Sequence, residues 1–332
     1  MKPVLVDHGV WQMTLPTPFD IGPVNVYLIQ NDIITLVDAG PKTEEAWLSF
    51  NDALKHIGMT PKDIDQIVLT HHHPDHTGLV NYFNQDIPVI AHSRLRPWFE
   101  QDEAFMMRYN RYFKALGYQM GVPEIYRKKM SSIEEDLKYA SKGILTKAVD
   151  EGDTIDGLKD WQVLYTPGHA QSHISLYREK DGLFLAGDLL LEKISSNAIL
   201  EPPYNDKETP PCSLLQYRES LKRCLKLNIS KVCPGHGKVF AQAHELINER
   251  LQNQLERRNK VLSYLESGWK TTFDIGKEMF SKAYLTQMDL VLSEIQGYLD
   301  WLLQAENIQK IENNGVIYYK GLYAENTSTR TF

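Results

Sequence analysis

The chain has few cysteines and no long apolar run, and these absences argue against several classes of protein. Its 332 residues include only 3 cysteines, an odd number without the short spacing of a zinc-binding pair, so a disulfide framework is not expected. No stretch approaches the roughly 18 apolar residues that a transmembrane helix needs, and residues 1–16 contain no apolar segment of signal-peptide type. We therefore expect a cytoplasmic protein without membrane association.

An excess of positive charge is also missing. The formal net charge is −7, which argues against a protein that coats nucleic acid. The charge is uneven, because residues 94–147 contain 11 Lys and Arg against 7 Asp and Glu. We expect this basic segment to face an anionic small-molecule substrate.

The hydrophobic pattern predicts a mixed α/β domain followed by a helical region. A helix is indicated at 43–58 and another near 213–227, and residues 94–147 are helical and rich in aromatic side chains. Apolar and β-branched runs predict strands at 24–30, 33–40, 64–70, 88–93, 161–166, 173–179, 183–188 and 231–235. Beyond residue 244 the pattern predicts three helices and a hairpin turning at Asn313-Asn314-Gly315, as in a winged-helix module.

The sequence IVLTHHHPDHTG, residues 67–78, carries four histidines and an aspartate in six consecutive positions. Side chains alternate along an extended chain, so His71 and His73 share a face, while Asp75 and His76 follow the turn at Pro74. Packed imidazoles and a carboxylate desolvate poorly and shift one another's pKa values unless a cation lies among them. The motif therefore predicts a metal site.

Three further candidate ligands stand next to glycine where a predicted strand ends: His169, Asp188 and His236. With the four from the motif they give five imidazoles and two carboxylates. That inventory suits two borderline cations such as Zn²⁺, with one carboxylate bridging them; iron and manganese remain open.

In this order the motifs resemble the metallo-β-lactamase superfamily, over about residues 10–245. The resemblance implies an α/β fold, the αββα sandwich, with His71, His73 and His169 on one metal and Asp75, His76 and His236 on the other. Asp188 and a hydroxide would bridge the two ions. Zinc β-lactamases have cysteine at the position of Asp188, so this ligand set resembles that of glyoxalase II-like hydrolases.

The predicted organisation has two domains. Residues 1–245 form the hydrolase domain, with 94–147 inserted as a helical cap whose aromatic side chains line an apolar pocket. Residues 246–332 form a small winged-helix-like α+β domain, which resembles a subgroup including the mitochondrial β-lactamase-like endoribonuclease. DNA binding is not expected of it, because the helix that would enter a groove carries four acids and no base: Asp289, Glu294, Asp300 and Glu306. We predict instead that this module packs against the hydrolase domain or mediates a homodimer contact. Apolar surface for either role would come from Tyr298, Leu299, Trp301 and Leu302.

The predicted function is that of a binuclear hydrolase whose metal-bridging hydroxide attacks a small anionic ester, thioester or lactone. Asp188 as the bridge and Asp75 as a proton acceptor are the predicted catalytic residues. His173 is either a donor behind the ligands or a packed strand histidine. Two alternatives stay open: a phosphodiesterase acting on single-stranded RNA, and an iron-dependent oxidoreductase resembling persulfide dioxygenases.

Overall fold

A computed structural model of the chain describes residues 2–127 and 133–322. The chain divides into two compact units, the first comprising Met1–Asn110 with Ser131–Arg250 and the second Arg111–Met130 with Leu251–Phe332. The predicted insertion contributes to both units, and its residues 128–132 lie outside the described part. The predicted domain boundary at 245 stays a prediction. None of the described helices combines the length and the apolar character that crossing a bilayer requires.

Two sheets form the centre of the first unit. The larger sheet contains, in spatial and chain order, β1 (Val4–Asp7), β2 (Val10–Leu15), β3 (Val24–Gln30), β4 (Ile34–Val37), β5 (Gln66–Val68), β6 (Val89–His92) and β7 (Lys147–Val149). Its strands pair antiparallel up to β4 and parallel from β4 onwards. The smaller sheet has the order β11-β10-β9-β8, from β8 (Trp161–Tyr165), β9 (Ile174–Arg178), β10 (Leu183–Gly187) and β11 (Lys231–Pro234). The predicted strands are confirmed, whereas β1, β2 and β7 were not predicted.

Alternation along β3 shows how the large sheet is covered on both faces. Tyr27 and Ile29 belong to the apolar core that also contains residues of the small sheet, such as Leu176. Val26 and Leu28 point the other way and join a second core under the first helix. Because successive strand side chains point to opposite faces, one strand serves both cores.

Helices occupy the connections between these strands. The predicted helix at 43–58 is α1 (Glu44–His56), and the Thr43 side chain caps it by accepting a hydrogen bond from Ala46 N. The others before residue 265 are α2 (Pro74–Thr77), α3 (Arg96–Phe99), α4 (Glu103–Gln119), α5 (Glu124–Arg127), α6 (Ile133–Leu137), α7 (Ser213–Cys224) and α8 (Ala243–Tyr264). The helical character predicted for 94–147 is confirmed by α3 to α6, but residues 138–146 are not helical and Lys147 begins β7.

The second unit contains the end of α8, then α9 (Thr272–Met279), α10 (Met288–Gln304) and a hairpin of β12 (Ile308–Asn313) and β13 (Val316–Gly321). The hairpin turn is confirmed, since Asn314 and Gly315 both adopt positive φ, at 49° and 76°. Glu306 lies beyond the end of α10, so that helix carries three of the four predicted acids.

One prediction about this unit is wrong. Tyr298, Leu299 and Leu302 do not offer apolar surface to a partner chain, because all three are buried. Trp301 is half-buried, with the guanidinium of Arg258 5.0 Å from its ring centroid. The apolar residues of α10 recur at helical spacing and mark a face of the helix, and α10 contacts α9 and β12.

Candidate metal centre

The structure brings all seven predicted ligands together at one end of the two sheets. His71 to His76 follow β5 and His169 follows β8. Asp188 directly follows β10, and His236 is the second residue after β11. Their donor atoms form three groups in which all atoms lie within 4.8 Å of one another: His71, His73 and His169; His71, His76 and Asp188; and Asp75, His76 and His236. All are buried except His73, which is half-buried.

We call His71, His73 and His169 the three-histidine group. His71 Nε2 lies 2.9 Å from His73 Nδ1, and His169 Nε2 lies 3.0 Å from the same atom. Three nitrogens therefore converge on one small volume. Such convergence of imidazole nitrogens is the donor arrangement of a tri-histidine metal site.

We call Asp75, His76 and His236 the mixed group. Asp75 Oδ2 is 3.2 Å from His236 Nε2, and Asp75 Oδ1 is 3.9 Å from His76 Nε2. A carboxylate and two imidazoles are again a normal donor set for a divalent cation.

Asp188 lies between the two groups. Its Oδ2 is 3.5 Å from His169 Nε2 and 3.6 Å from His236 Nε2, and its Oδ1 is 3.5 Å from His76 Nε2. Glycine is required beside it, because a Cβ on Gly235 would lie 2.1 Å from Asp188 Oδ1. The predicted bridging position of Asp188 is thus geometrically available.

The ring nitrogens that point away from the cluster are held by protein acceptors. His76 Nδ1 is 2.8 Å from Asp38 Oδ2, and the Nδ1 atoms of His169 and His236 are each 2.9 Å from a backbone carbonyl, of Asn197 and Pro23 respectively. Hydrogen bonds of this kind fix the tautomer and the ring orientation of metal-binding histidines. The arrangement leaves each of these Nε2 atoms aimed into the cluster.

Unsatisfied atoms test whether a metal fits here. Within the described residues, His76 Nε2, Asp188 Oδ1 and His236 Nε2 are buried and make no hydrogen bond. Leaving such an atom unpaired is unfavourable, at about 1–3 kcal/mol each and more if charged. Cations bound among these atoms would satisfy all three, so the residues fit metal ions.

The two groups differ in charge. Burial, together with the neighbouring imidazoles, holds the pKa of His71 and of His73 well below the usual value. Burial also opposes charging of His76, but Asp188, Asp38 and Asp75 outweigh it and raise the pKa of His76 well above the usual value. The three-histidine group therefore consists of neutral donors. In the mixed group, by contrast, the neighbouring carboxylates favour the protonated, charged form of His76.

Sequence reasoning missed Asp38. This buried residue follows β4 with φ 62° and accepts hydrogen bonds from Thr70 N, Thr70 Oγ1 and His76 Nδ1, each at 2.8 Å. Thr70 Oγ1 is in turn 3.0 Å from His71 Nδ1. A strand-terminal aspartate before a glycine turn, in VDAG, was the available signal.

The two interpretations of His173 are now separated. Its Nε2 accepts the backbone N–H of Asp188 at 3.1 Å, and its Nδ1 lies 2.8 Å from Thr166 Oγ1. Burial lowers the pKa of His173 to about 3, so the ring is neutral and accepts this bond. His173 therefore lies behind the predicted ligand Asp188, as the first interpretation places it, but it accepts a hydrogen bond there instead of donating one.

The chain is similar to known proteins of one family. The family model of the metallo-beta-lactamase superfamily matches residues 19–236. The chain is 40% identical over 317 residues to the probable metallo-hydrolase YqjP of Bacillus subtilis, covering 95% of this chain and 99% of that protein. It is 30% identical over 243 residues to a hydroxyacylglutathione hydrolase of Idiomarina loihiensis, covering 71% of this chain and 66% of that protein.

A solved structure extends the similarity to nearly the whole chain. The crystal structure of the metallo-beta-lactamase family protein TTHA1429 from Thermus thermophilus has a TM-score of 0.81 and 26% identity. The match covers 96% of this chain and 100% of that one. The chain belongs to the metallo-β-lactamase superfamily and is a metal-dependent hydrolase.

Proposed function

We propose that this protein is a binuclear hydrolase that cleaves a small anionic ester, thioester or lactone with two Zn²⁺ ions, using a ligand set like that of glyoxalase II. The observation that carries the proposal is the position of Asp188, whose two carboxylate oxygens face donors of both groups. One carboxylate between two sets of three donors is what two adjacent ions require.

The chemistry divides between the ions and the chain. Two divalent ions would acidify a water molecule and polarise the scissile carbonyl. The three-histidine group and the mixed group would hold the ions, with Asp188 in contact with both. Asp75 is buried beside His236 and, if freed from tight ligation, would accept the proton that the attacking water loses.

The substrate class follows from what surrounds the cluster in the first unit. Trp98 of α3 stacks on His72 with ring centroids 3.9 Å apart, and His72 is adjacent to His73. Behind Trp98 lies an apolar group with Phe105 and Ile133, against which Met106 and Tyr109 pack. Apolar walls beside a few polar groups favour a small organic acyl group over a polyanionic backbone. The hydroxyacylglutathione hydrolase among the relatives supports a thioester.

For the C-terminal region we propose a winged-helix-like module without nucleic-acid binding. Its three helices and hairpin support the module, and the acidic residues of α10 argue against phosphate contacts: Asp289, Glu294 and Asp300. A dimer contact remains a proposal on residues other than the buried ones. Sedimentation of the purified protein, and a gel shift at low salt, would test both points.

The decisive experiment is a substrate panel with defined metal content. Protein purified without added metal is analysed for its elements and then assayed on acyl-thioesters, lactones, esters and phosphodiesters. We expect two ions per chain, thioester or ester turnover, loss on chelation and recovery with Zn²⁺. A preference for phosphodiesters, or a single iron with oxygen consumption, would replace the proposal with one of the alternatives.

A further inference from the structure

A closed belt of contacts joins the ligand loops to α3 in the first unit. It runs through six side chains or backbone groups that no proposed ligand contributes: His72, Trp98, Tyr204, Glu201, Gln171 and Ser172. We call these six residues the belt. Gln171 and Ser172 are neighbours in the chain, so the last contact returns to the first residue.

The first half of the belt connects His72 to Glu201. The ring planes of His72 and Trp98 are 12° apart, and Trp98 Nε1 donates to Tyr204 Oη at 2.9 Å. Tyr204 Oη then donates to Glu201 Oε2 at 2.9 Å. The Tyr204 hydroxyl is therefore used as both acceptor and donor, which fixes its position between α3 and the loop at 201–204.

The second half returns from Glu201 to His72 through the loop after β8. Gln171 N donates to Glu201 Oε1 at 2.6 Å. Ser172 Oγ accepts the backbone N–H of His72 at 3.2 Å and lies 2.9 Å from His72 Nδ1. His72 stands between His71 and His73, and Gln171 is two residues from His169, so the belt touches both loops of the three-histidine group.

Most residues of the belt lie in the protein interior. His72, Trp98, Gln171, Ser172 and Glu201 are all buried. A buried carboxyl group is held in place by its protein donors, so removing one of them is expected to displace it. Arg94, with its guanidinium 4.7 Å from the centre of the Tyr204 ring, adds a cation beside the belt.

We propose that Glu201 and Tyr204 are positioning residues for the three-histidine group, and that the belt couples the placement of α3, whose Trp98 stacks on His72, to metal binding. The inference rests on the proposed metal centre but is separate from the identity of the substrate. Coupling follows because the same contacts that orient Trp98 hold the two loops at the spacing the three imidazoles need.

The test is a zinc-affinity measurement on Tyr204→Phe. Metal-free protein competes with a chromophoric chelator for Zn²⁺, with no substrate present. Phenylalanine keeps the ring but removes both hydrogen bonds, and we expect zinc affinity to fall about 10-fold, the low end of the range for groups behind metal ligands. Tyr177→Phe is the matched control, because Tyr177 Oη only donates to the carbonyl of Asn228, at 3.2 Å.

A second variant opens the belt elsewhere and guards against a folding defect in the first. Ser172→Ala should weaken zinc binding by a similar factor. If the belt acts as a closed series of contacts, losing one contact also weakens the others. The zinc affinity of the double variant should therefore fall by less than the product of the two single decreases.

The outcomes separate the belt from the metal centre. Wild-type protein that binds no Zn²⁺ would refute the centre itself. Folded Tyr204→Phe and Ser172→Ala variants with wild-type affinity, or losses that multiply fully in the double variant, would refute the belt while leaving the centre intact. A zinc-dependent change in tryptophan fluorescence that disappears in Trp98→Phe would support the coupling directly.

Discussion

The three-histidine group and the mixed group lie side by side, yet the protein prepares them differently. The first relies on burial and on the belt to hold neutral rings, whereas the second brings Asp75 and, behind His76, the buried carboxylate of Asp38. Electrostatics stabilises the mixed group before any ion binds, since the raised pKa of His76 reports favourable contacts with carboxylates. The positions of the ligands in the three-histidine group therefore depend more on the packing and hydrogen bonds of the belt.

Removing the shared carboxylate should have the largest effect. Asp188→Asn keeps the shape but removes the negative charge between the groups, so we expect fewer than two ions per chain and a loss of hydrolysis of at least about 1,000-fold. Asp160→Asn, at an exposed ion pair with Lys180, is the control. Retention of two tightly bound ions by Asp188→Asn would show that the groups are independent.

Adding a methyl group at Gly235 should have a smaller effect, which falls first on the mixed group. The Cβ of Gly235→Ala would lie 2.1 Å from Asp188 Oδ1 and 2.9 Å from His76 Cε1. We expect about 100-fold lower activity, because displacements near 1 Å have effects of that size, and weaker binding of one of the two ions.

Gly237→Ala is the comparison for that change, since a Cβ at this position meets nothing within 4 Å although φ is +86°. Its effect should be limited to backbone strain of about 1 kcal/mol in stability. Equal losses of metal in the two variants would assign the effect to the loop backbone rather than to Asp188.

Asp38→Asn should weaken the two groups unequally. Asparagine tolerates the left-handed backbone at this position, but an amide nitrogen in place of Oδ2 cannot accept from His76 Nδ1 or from Thr70 Oγ1. The mixed group loses a direct hydrogen bond to its ligand His76, whereas the three-histidine group is affected only through Thr70. We expect metal affinity to fall about 10–100-fold, with the mixed-group ion lost first. Calorimetric titration of the metal-free protein with Zn²⁺ measures both sites, and uniform weakening would contradict the order.

The smallest effect is on stability and concerns the side of the three-histidine group. Burial raises the pKa of Glu201 from 4.5 to about 7, although bonds from Gln171 N and Tyr204 and the charge of Arg94 oppose this. The folded state therefore binds this proton more tightly than the unfolded state, and the contribution of Glu201 to stability falls as pH rises from 4.5 to 7. The difference between these two pKa values corresponds to about 3 kcal/mol of folding free energy.

Glu201→Gln does not titrate, so it isolates that contribution. Relative to wild type, the metal-free variant should gain stability between pH 5 and pH 8, by about 2–3 kcal/mol in urea unfolding. A stability difference that is constant with pH would show that Glu201 is ionised throughout.

The sequence by itself determined the metal motif and most of the strands. His71, His73, Asp75 and His76 are adjacent in the chain, so their chemistry is legible locally, and period-two and apolar runs are local as well. His169, Asp188 and His236 were found because each follows a strand and stands beside glycine. The edge strand β1 was missed because its outer residues, Val4 and Leu5, are exposed and leave no buried pattern.

Only the tertiary structure decided what surrounds the ligands. Asp38 accepts from Thr70 N, 32 residues away, and Glu201 accepts from Gln171 N, 30 residues away. The VDAG turn marks the end of a strand at Asp38, but neither local sequence shows that the carboxyl group is buried or what binds it. The same holds for α10, where an apolar stripe predicts burial but not against what. Hydrogen bonds and stacking depend on distances that chain folding alone creates, so these positioning groups are invisible until the strands are in register.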